Sequence, residues 1–481
     1  MRHNSLMTTA PISAAAAPSP LLSRKERHKK GQALRQLVSR SSHAEWSPAR
    51  NRSDPLALLT QQNTHRITSL IPVRYERMRA SPFAFLRGAA IVMAADLAGT
   101  PTSGLTVQAC GDCHLANFGS YASPEGIPVF DINDFDETFR APFEWDIKRL
   151  GTSFVLAGLE TGLSSHRAHA LAEIMAQTYS TEMRRLSQLS PLQVWLNRID
   201  LKNAIAHFED AKTRRATETL LKTRLDSIKT GFGLIADDRN APSLHEKPPL
   251  VMRLPDQDDA TRQAFARYVA TQPPERLALL KHYALRDVIF KVVGVGSVGT
   301  FCAIGLFTTA DNEPLLLQIK ESQESVLAPY AGPAVHIHNQ GERVVTGQRI
   351  MQAVSDSFLG WTHSIGDDGE LSEDDAHLPE NESRRQFYVR RVKDTRLAAI
   401  GADFAQEGLK DYAKLCARAL ARAHARSGDP VTISAYLGKG ASFSAAIAAF
   451  SVAYAAQTKK DWKNFVAVTT SKPASSAKAS S

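Results

Sequence analysis

Apolar residues recur every three or four positions across 145–159, 166–186, 217–227 and 259–270, the spacing that lays one apolar stripe along a helix. The strongest stripe is at 409–425, where Leu409, Tyr412, Cys416, Leu420 and Ala423 share a face and Ser427-Gly428 supplies a stop. Residues 81–97 (SPFAFLRGAAIVMAADL) read as one apolar helix opened by Ser-Pro. Residues 341–353 (GERVVTGQRIMQA) read as a helix with an internal glycine, and 443–465 as a final helix. Between 286 and 320 the period drops to two. Strands are predicted at 288–293, 299–307 and 315–319, with two more at 357–362 and 386–392 around an acidic loop at 367–382. Upstream, 105–109 is a short strand, and 117–134 predicts a hairpin turning at Ser123-Pro124-Glu125-Gly126.

These elements divide the chain into a disordered basic tail at 1–30, a helical lobe at 31–285 and an antiparallel-sheet lobe at 286–400. Helices at 401–467 return to the helical lobe, and a Lys/Ser/Ala-rich tail occupies 468–481. Apolar content of 43% and charged content of 22% suit a soluble globular protein. The net charge of +9 sits at the ends: residues 1–60 hold ten Lys/Arg against three Asp/Glu, and 459–481 hold five against one. The body is therefore slightly acidic and carries no basic, aromatic-interleaved stripe for nucleic acid. The basic tails suit contact with an acidic partner.

Four cysteines are too few for a disulfide scaffold in a chain this long. Cys110 and Cys113 form a CxxC, but no βαβ pattern surrounds it, which argues against a redox pair. The Ala/Ser/Pro-rich start lacks a signal-peptide pattern, and a cytoplasmic protein is expected. Residues 292–310 carry no charge and are long enough to span a membrane, yet four glycines favour strand–turn–strand over a membrane helix.

Four segments carry candidate chemistry. In 111–117 (GDCHLAN), Asp112 and Asn117 have the spacing that phosphoryl transfer needs: a carboxylate to orient and deprotonate a hydroxyl, then an amide oxygen for a metal ion. The same pair could instead fix a turn through side-chain-to-backbone bonds. His114 is a second catalytic candidate, or a group that positions the turn. In 130–137 (FDINDFDE), a strand ends in clustered carboxylates suited to Mg²⁺, or to a solvated acidic turn. In 294–299 (GVGSVG), Gly294, Gly296, Ser297 and Gly299 are followed by a strand-like run rather than a helix. A second strand then ends in Lys320, the order of a kinase glycine loop and its lysine. Glu342 opens the next predicted helix and is the candidate partner for Lys320, with Glu321 and Glu324 as nearer alternatives. Asp146 starts a helix and favours its positive end, while His424 and Asp429 stand near the end of the 409–425 stripe.

Together RYERMRASPFAFLRGAA, CGDCHLANFGSYASPE, VFDINDFDETFRAPFEWDIKRL, QRIMQAVSDSFLGW, FYVRRVKD and LARAHARSGD resemble a bacterial family known as domain of unknown function 2252, from about residue 30 to 465. That family looks distantly related to the protein kinase and aminoglycoside phosphotransferase superfamily. The resemblance implies an α+β, kinase-like two-lobed fold in circularly permuted order, with a large helical lobe and a smaller antiparallel-sheet lobe. The glycine loop and Lys320 follow the GDCHLAN turn by about 180 residues instead of preceding it. By resemblance Asp112 is the base and Asn117 a metal ligand, with Asp131 or Asp134 as the second. Asp136 stands where a glycine is expected, Asp146 braces the catalytic loop, and the 409–425 helix leads towards it. The implied cofactors are ATP and Mg²⁺. The implied function is phosphoryl transfer to a hydroxyl acceptor, read as a small molecule because no peptide-docking segment is recognisable. Two rivals remain: a metal-dependent hydrolase using Asp112, His114, Asp131, Asp134 and Asp136, and a non-catalytic nucleotide-binding regulator.

Overall fold

The computed structural model describes residues 21–227, 234–235, 242–332, 337–363, 385–392 and 408–471. Helix α6 (Phe143–Glu160) organises the helical part. Glu144 and Asp146 lie in its first turn, where carboxylates favour the positive helix end, and every residue from 143 to 158 is buried. Around it pack α7 (Ser165–Leu186), α14 (Leu409–Ser427) and α16 (Ala441–Ser471). The predicted α14 stripe is buried throughout. After Gly428, Asp429 accepts from the Val431 N–H (3.0 Å), capping α15 (Pro430–Leu437), and pairs with Arg27 of α1 (Arg24–Leu37). The basic run at 24–30, predicted as the end of a tail, is thus the opening of a helix fastened to the far end of the chain. Helix α16 runs six residues past its predicted end, and the rest of that tail, like the 367–382 loop, lies outside the described residues.

The sheet is six-stranded and antiparallel, in the order β5-β6-β7-β8-β10-β9. Its strands are β5 (Val251–Met252), β6 (Ala284–Lys291), β7 (Cys302–Thr308), β8 (Pro314–Glu321), β9 (Gly360–His363) and β10 (Gln386–Arg391). Phe265 and Tyr268 of α11 (Pro255–Ala270) join one apolar face, with Phe307, Leu317 and Val389. Helix α13 (Gln340–Met351) lies against β9 and β10. Two short antiparallel pairs complete the α+β architecture: β1 (Thr106–Ala109) with β4 (Phe139–Pro142), and the predicted hairpin β2 (Phe118–Ala122) with β3 (Pro128–Ile132). The uncharged stretch 292–310 is a loop running into β7, and among the described residues no helix is long and apolar enough to cross a membrane. Helices α8 (Pro191–Leu196), α9 (Leu201–Ala206), α10 (Ala211–Ser227) and α12 (Pro274–Leu280) link these parts.

The N-terminal segment adds α2 (Pro55–Asn63) and α3 (Ile71–Arg79). The single helix predicted at 81–97 is two, α4 (Pro82–Gly88) and α5 (Ala90–Leu97), broken at Ala89 (φ −119°, ψ 42°). The cause is tertiary. Fully buried Arg74 draws the Gly88 carbonyl into a 2.8 Å hydrogen bond, and a β-carbon on Gly88 would stand 2.5 Å from the Met78 side chain. The break brings Arg87, Gly88 and Ala90 to the wall of a cleft between the helical part and the sheet.

Candidate functional site

The turn after β1 is held from beneath by the first turn of α6. Asp146 accepts from the N–H groups of Cys110 (2.6 Å) and Gly111 (3.0 Å), and from His424 Nε2 (3.1 Å), whose Nδ1 meets the Tyr179 hydroxyl at 2.9 Å. Gly111 has φ +83°, and a β-carbon there would fall 2.2 Å from the Glu137 carbonyl oxygen, so only glycine fits. Next in the turn, Asp112 Oδ1 accepts from Nε (2.8 Å) and Nη2 of buried Arg149. This fork fixes the carboxylate and leaves Oδ2 on the cleft side, 3.7 Å from His114 Nε2. Burial pushes the Asp112 carboxyl up, with Asp134 adding to the rise and Arg149 and Arg87 opposing it. Asn117 donates to the Asp112 carbonyl at 2.7 Å, and its own amide oxygen accepts from nothing among the described residues.

The acidic segment separates its carboxylates. Asp131 is buried and turned away from the cleft, where it accepts from Arg422 of α14, the Ile132 N–H (2.9 Å) and the Ala353 N–H (3.1 Å). Asp134, Asp136 and Glu137 line the cleft. Asp136 receives the Lys320 ammonium, the Ser297 hydroxyl (3.1 Å) and the Tyr388 hydroxyl (3.0 Å). Lys320, near the end of β8, also donates to Ser297 Oγ at 3.0 Å. Burial favours the neutral amine, but Asp134 and Asp136 outweigh it and raise the Lys320 pKa. The partner expected for Lys320 was Glu342. Among the described residues no ion pair joins them, and Lys320 pairs with Asp136 instead. Glu342 lies in the first turn of α13, where its N–H donates to Asn339 Oδ1 (3.1 Å). The next residue, Arg343, reaches the site and donates to the carbonyls of Asp136 (2.8 Å), Thr138 (2.6 Å) and Gln323 (2.8 Å).

Between β6 and β7 the glycine loop lies against the N-terminal segment. Its carbonyls are occupied: Gly294 by Arg77, Val298 by Arg66 (2.6 Å) and Gly299 by the Ile67 N–H (2.8 Å). The N–H groups of Gly294, Val295, Gly296, Ser297 and Gly299 have no acceptor among the described residues. Gly294 and Gly299 adopt positive φ, and a β-carbon on Gly296 would stand 3.8 Å from Asp112 Oδ2. The loop therefore abuts the Asp112 turn across a small cleft. A larger open pocket adjoins it, sharing Gln62, Arg66, Glu137, Glu321 and Gln323.

The structure thus gathers Asp112, Asn117, Asp134, Gly296 and Ser297 at one cleft, with Lys320 tied to its wall. Asp131 is excluded by Arg422, and His114 sits behind Asp112, 3% exposed and against the Phe83 ring. Burial, with Arg87 and Arg149, pushes the His114 pKa well down and keeps the ring neutral. Cys110 and Cys113 are buried free thiols, and burial pushes Cys113 well up, away from thiolate chemistry. Sequence reasoning assigned no role to Arg66, Arg87, Arg149, Arg343 or Glu137, and none to Asp136 as a partner for Lys320. RYERMRASPFAFLRGAA was singled out as a stretch, but nothing in it shows which arginine faces a cleft.

A family described as an uncharacterized protein conserved in bacteria, DUF2252, matches residues 66–468. The chain belongs to the DUF2252 family. The region matched to DUF2252 begins at Arg66 and contains every cleft residue named above except Gln62. No curated protein and no solved structure matches the chain.

Proposed function

We propose that this DUF2252 protein is a kinase-like phosphotransferase, circularly permuted, that moves a phosphoryl group from Mg²⁺·ATP to the hydroxyl of a small molecule. One observation carries the reading: Lys320 and Ser297 bond Asp136 while Gly296 abuts Asp112, so the glycine loop and its lysine close over the acidic turn although they follow it in the chain. A site depends on convergence in space, so permuted order is no obstacle. The residues present fit the implied group. The loop's unpaired N–H donors and Lys320 suit phosphates. The uncommitted Asn117 oxygen and Asp134 suit Mg²⁺, which takes one or two protein oxygens and fills its shell with phosphate and water.

In this reading Asp112, oriented by Arg149, accepts the proton of the acceptor hydroxyl. Asn117 and Asp134 hold the metal. Lys320 and the loop amides hold the nucleotide phosphates, and Asp136 keeps Lys320 charged and in place. When bound, Mg²⁺·ATP would supply the phosphoryl group: the acceptor oxygen would form its bond to the γ-phosphorus as the β–γ bridge broke, and ADP would leave with the electron pair.

The hydrolase alternative draws less support. Asp131 is committed to Arg422, His114 lies behind Asp112, and among the described residues no three His, Cys, Asp or Glu are grouped to hold a metal. The test is turnover of Mg²⁺·ATP against a panel of small hydroxyl compounds. Asp112→Asn is expected to lower kcat by roughly 10²–10⁴-fold while nucleotide still binds. Turnover equal to wild type would refute the assignment of Asp112. Nucleotide binding with no turnover in wild type would favour the regulator.

A further inference from the structure

Arg87 closes α4 on the wall of the cleft, where the helix breaks. A guanidinium carries five N–H donors in a flat fork. No hydrogen bond or ion pair joins the Arg87 side chain to any described residue, and its Nε is buried without a partner. The guanidinium stands over the Phe83 ring, 5.8 Å from its centroid. Arg66, 9% exposed, gives Nη1 to the Val298 carbonyl and also leaves Nε buried and unpaired. Buried donors are nearly always satisfied in folded proteins, so two such guanidinia at one cleft point to an acceptor that arrives from outside.

Arg87 is not there to neutralise Asp112, because Arg149 already holds that carboxylate with a two-pronged grip. Arg87 lines the same cleft as Asp112 and Asp134, the residues given the base and metal roles. Gly296 and Ser297 of the glycine loop, whose N–H groups have no acceptor among the described residues, line the same cleft, and a β-carbon on Gly296 would stand 3.0 Å from the Arg87 carbonyl oxygen. A planar fork facing backbone donors is the chemistry that grips a tetrahedral phosphate.

We propose that Arg87, backed by Arg66 behind the glycine loop, forms a phosphate subsite in the cleft between Asp112 and Asp134. It rests on the phosphotransferase reading only for which phosphate it receives: the terminal one of the nucleotide, or one carried by the acceptor.

The experiment titrates inorganic phosphate into the full chain with Mg²⁺ present and ionic strength fixed by chloride, read by calorimetry and thermal shift. Wild type is expected to bind phosphate saturably. Arg87→Gln weakens it at least tenfold, and Arg87→Lys loses less because it keeps the charge. The melting temperature of unliganded Arg87→Gln should change little, because no hydrogen bond or ion pair to a described residue is lost. Competition between phosphate and a non-hydrolysable Mg²⁺·ATP analogue assigns the subsite to the nucleotide, and additive binding assigns it to the acceptor. Phosphate binding through Arg87 in a chain that never binds Mg²⁺·ATP keeps the subsite and removes the phosphotransferase. Arg87→Gln binding phosphate as wild type does, or no saturable binding by wild type, overturns the proposal.

Discussion

Lys320 and Asp136, 184 residues apart, form an ion pair whose lysine side chain is 4% exposed and whose aspartate is 24% exposed. The pair joins the end of β8 to the acidic turn, and Ser297 and Tyr388 share the same carboxylate. The aspartate occupies the position where resemblance leads one to expect a glycine, and it does the work expected of Glu342.

Breaking that pair from the acidic side should be costly. Asp136→Asn leaves a buried ammonium with only Asp134 to compensate, and the loss expected in urea denaturation is about 3 kcal/mol, the low end of the range for orphaning one partner of a buried pair. Adding Lys320→Met should recover most of that loss. An Asp136→Asn protein as stable as wild type would mean that the pair is not formed in solution.

Asp131 and Asp134 should separate cleanly. Asp131→Asn removes the charge opposite fully buried Arg422, so stability is expected to drop by roughly 3–5 kcal/mol. Asp134→Asn should cost less than Asp131→Asn, because Asp136 still pairs with Lys320, and should weaken Mg²⁺-dependent nucleotide binding. Urea melts and nucleotide titration of both variants check this, and the reverse pattern would exchange their roles.

Much of the frame was legible in the sequence, because local chemistry decided it. The α14 stripe, the 117–134 hairpin and the strand ending in Lys320 follow from periodicity and turn residues that lie close together in the chain. What was missed depends on distant residues. The 81–97 helix breaks because Met78 and Arg74 crowd and capture Gly88, which no local pattern reveals. Glu342 and Arg343 are neighbours on one helix, and only the packing of α13 decides which reaches the acidic turn. Asp131 is as acidic in the sequence as Asp134. Its commitment to Arg422 depends on a helix almost 300 residues later.

Asp146 should matter to the turn more than its distance from the cleft suggests. Asp146→Asn keeps the size but weakens its hydrogen bonds to the N–H groups of Cys110 and Gly111 and to His424. A loss of about 3 kcal/mol is expected, from at least one buried charge-assisted bond. Faster amide exchange confined to 110–117 is the specific readout, and unchanged exchange there would contradict the bracing role.

Glu137 gives the cleft a pH dependence. Burial, with Asp112 and Asp136 nearby, pushes its carboxyl from 4.5 up to about 7, against the Val326 N–H and Arg343. A raised carboxyl pKa means that the folded chain holds this proton more tightly than the unfolded one. Its stabilisation is complete below pH 4.5 and lost as pH rises through 7, amounting to up to about 3 kcal/mol. The difference in urea stability between wild type and Glu137→Gln should therefore shift against wild type between pH 5 and pH 8. A constant difference across that range would contradict the assignment.

The glycine loop with Lys320 and the turn with Asp112, Asn117 and Asp134 are proposed to form one nucleotide site. The direct measurement is calorimetric titration of a non-hydrolysable Mg²⁺·ATP analogue into wild type, Lys320→Met and Asp134→Asn. Saturable binding that requires Mg²⁺ and is weakened at least tenfold by either substitution is expected, though the two residues stand 186 positions apart in the chain. Binding indifferent to both, or lost in only one, would contradict it.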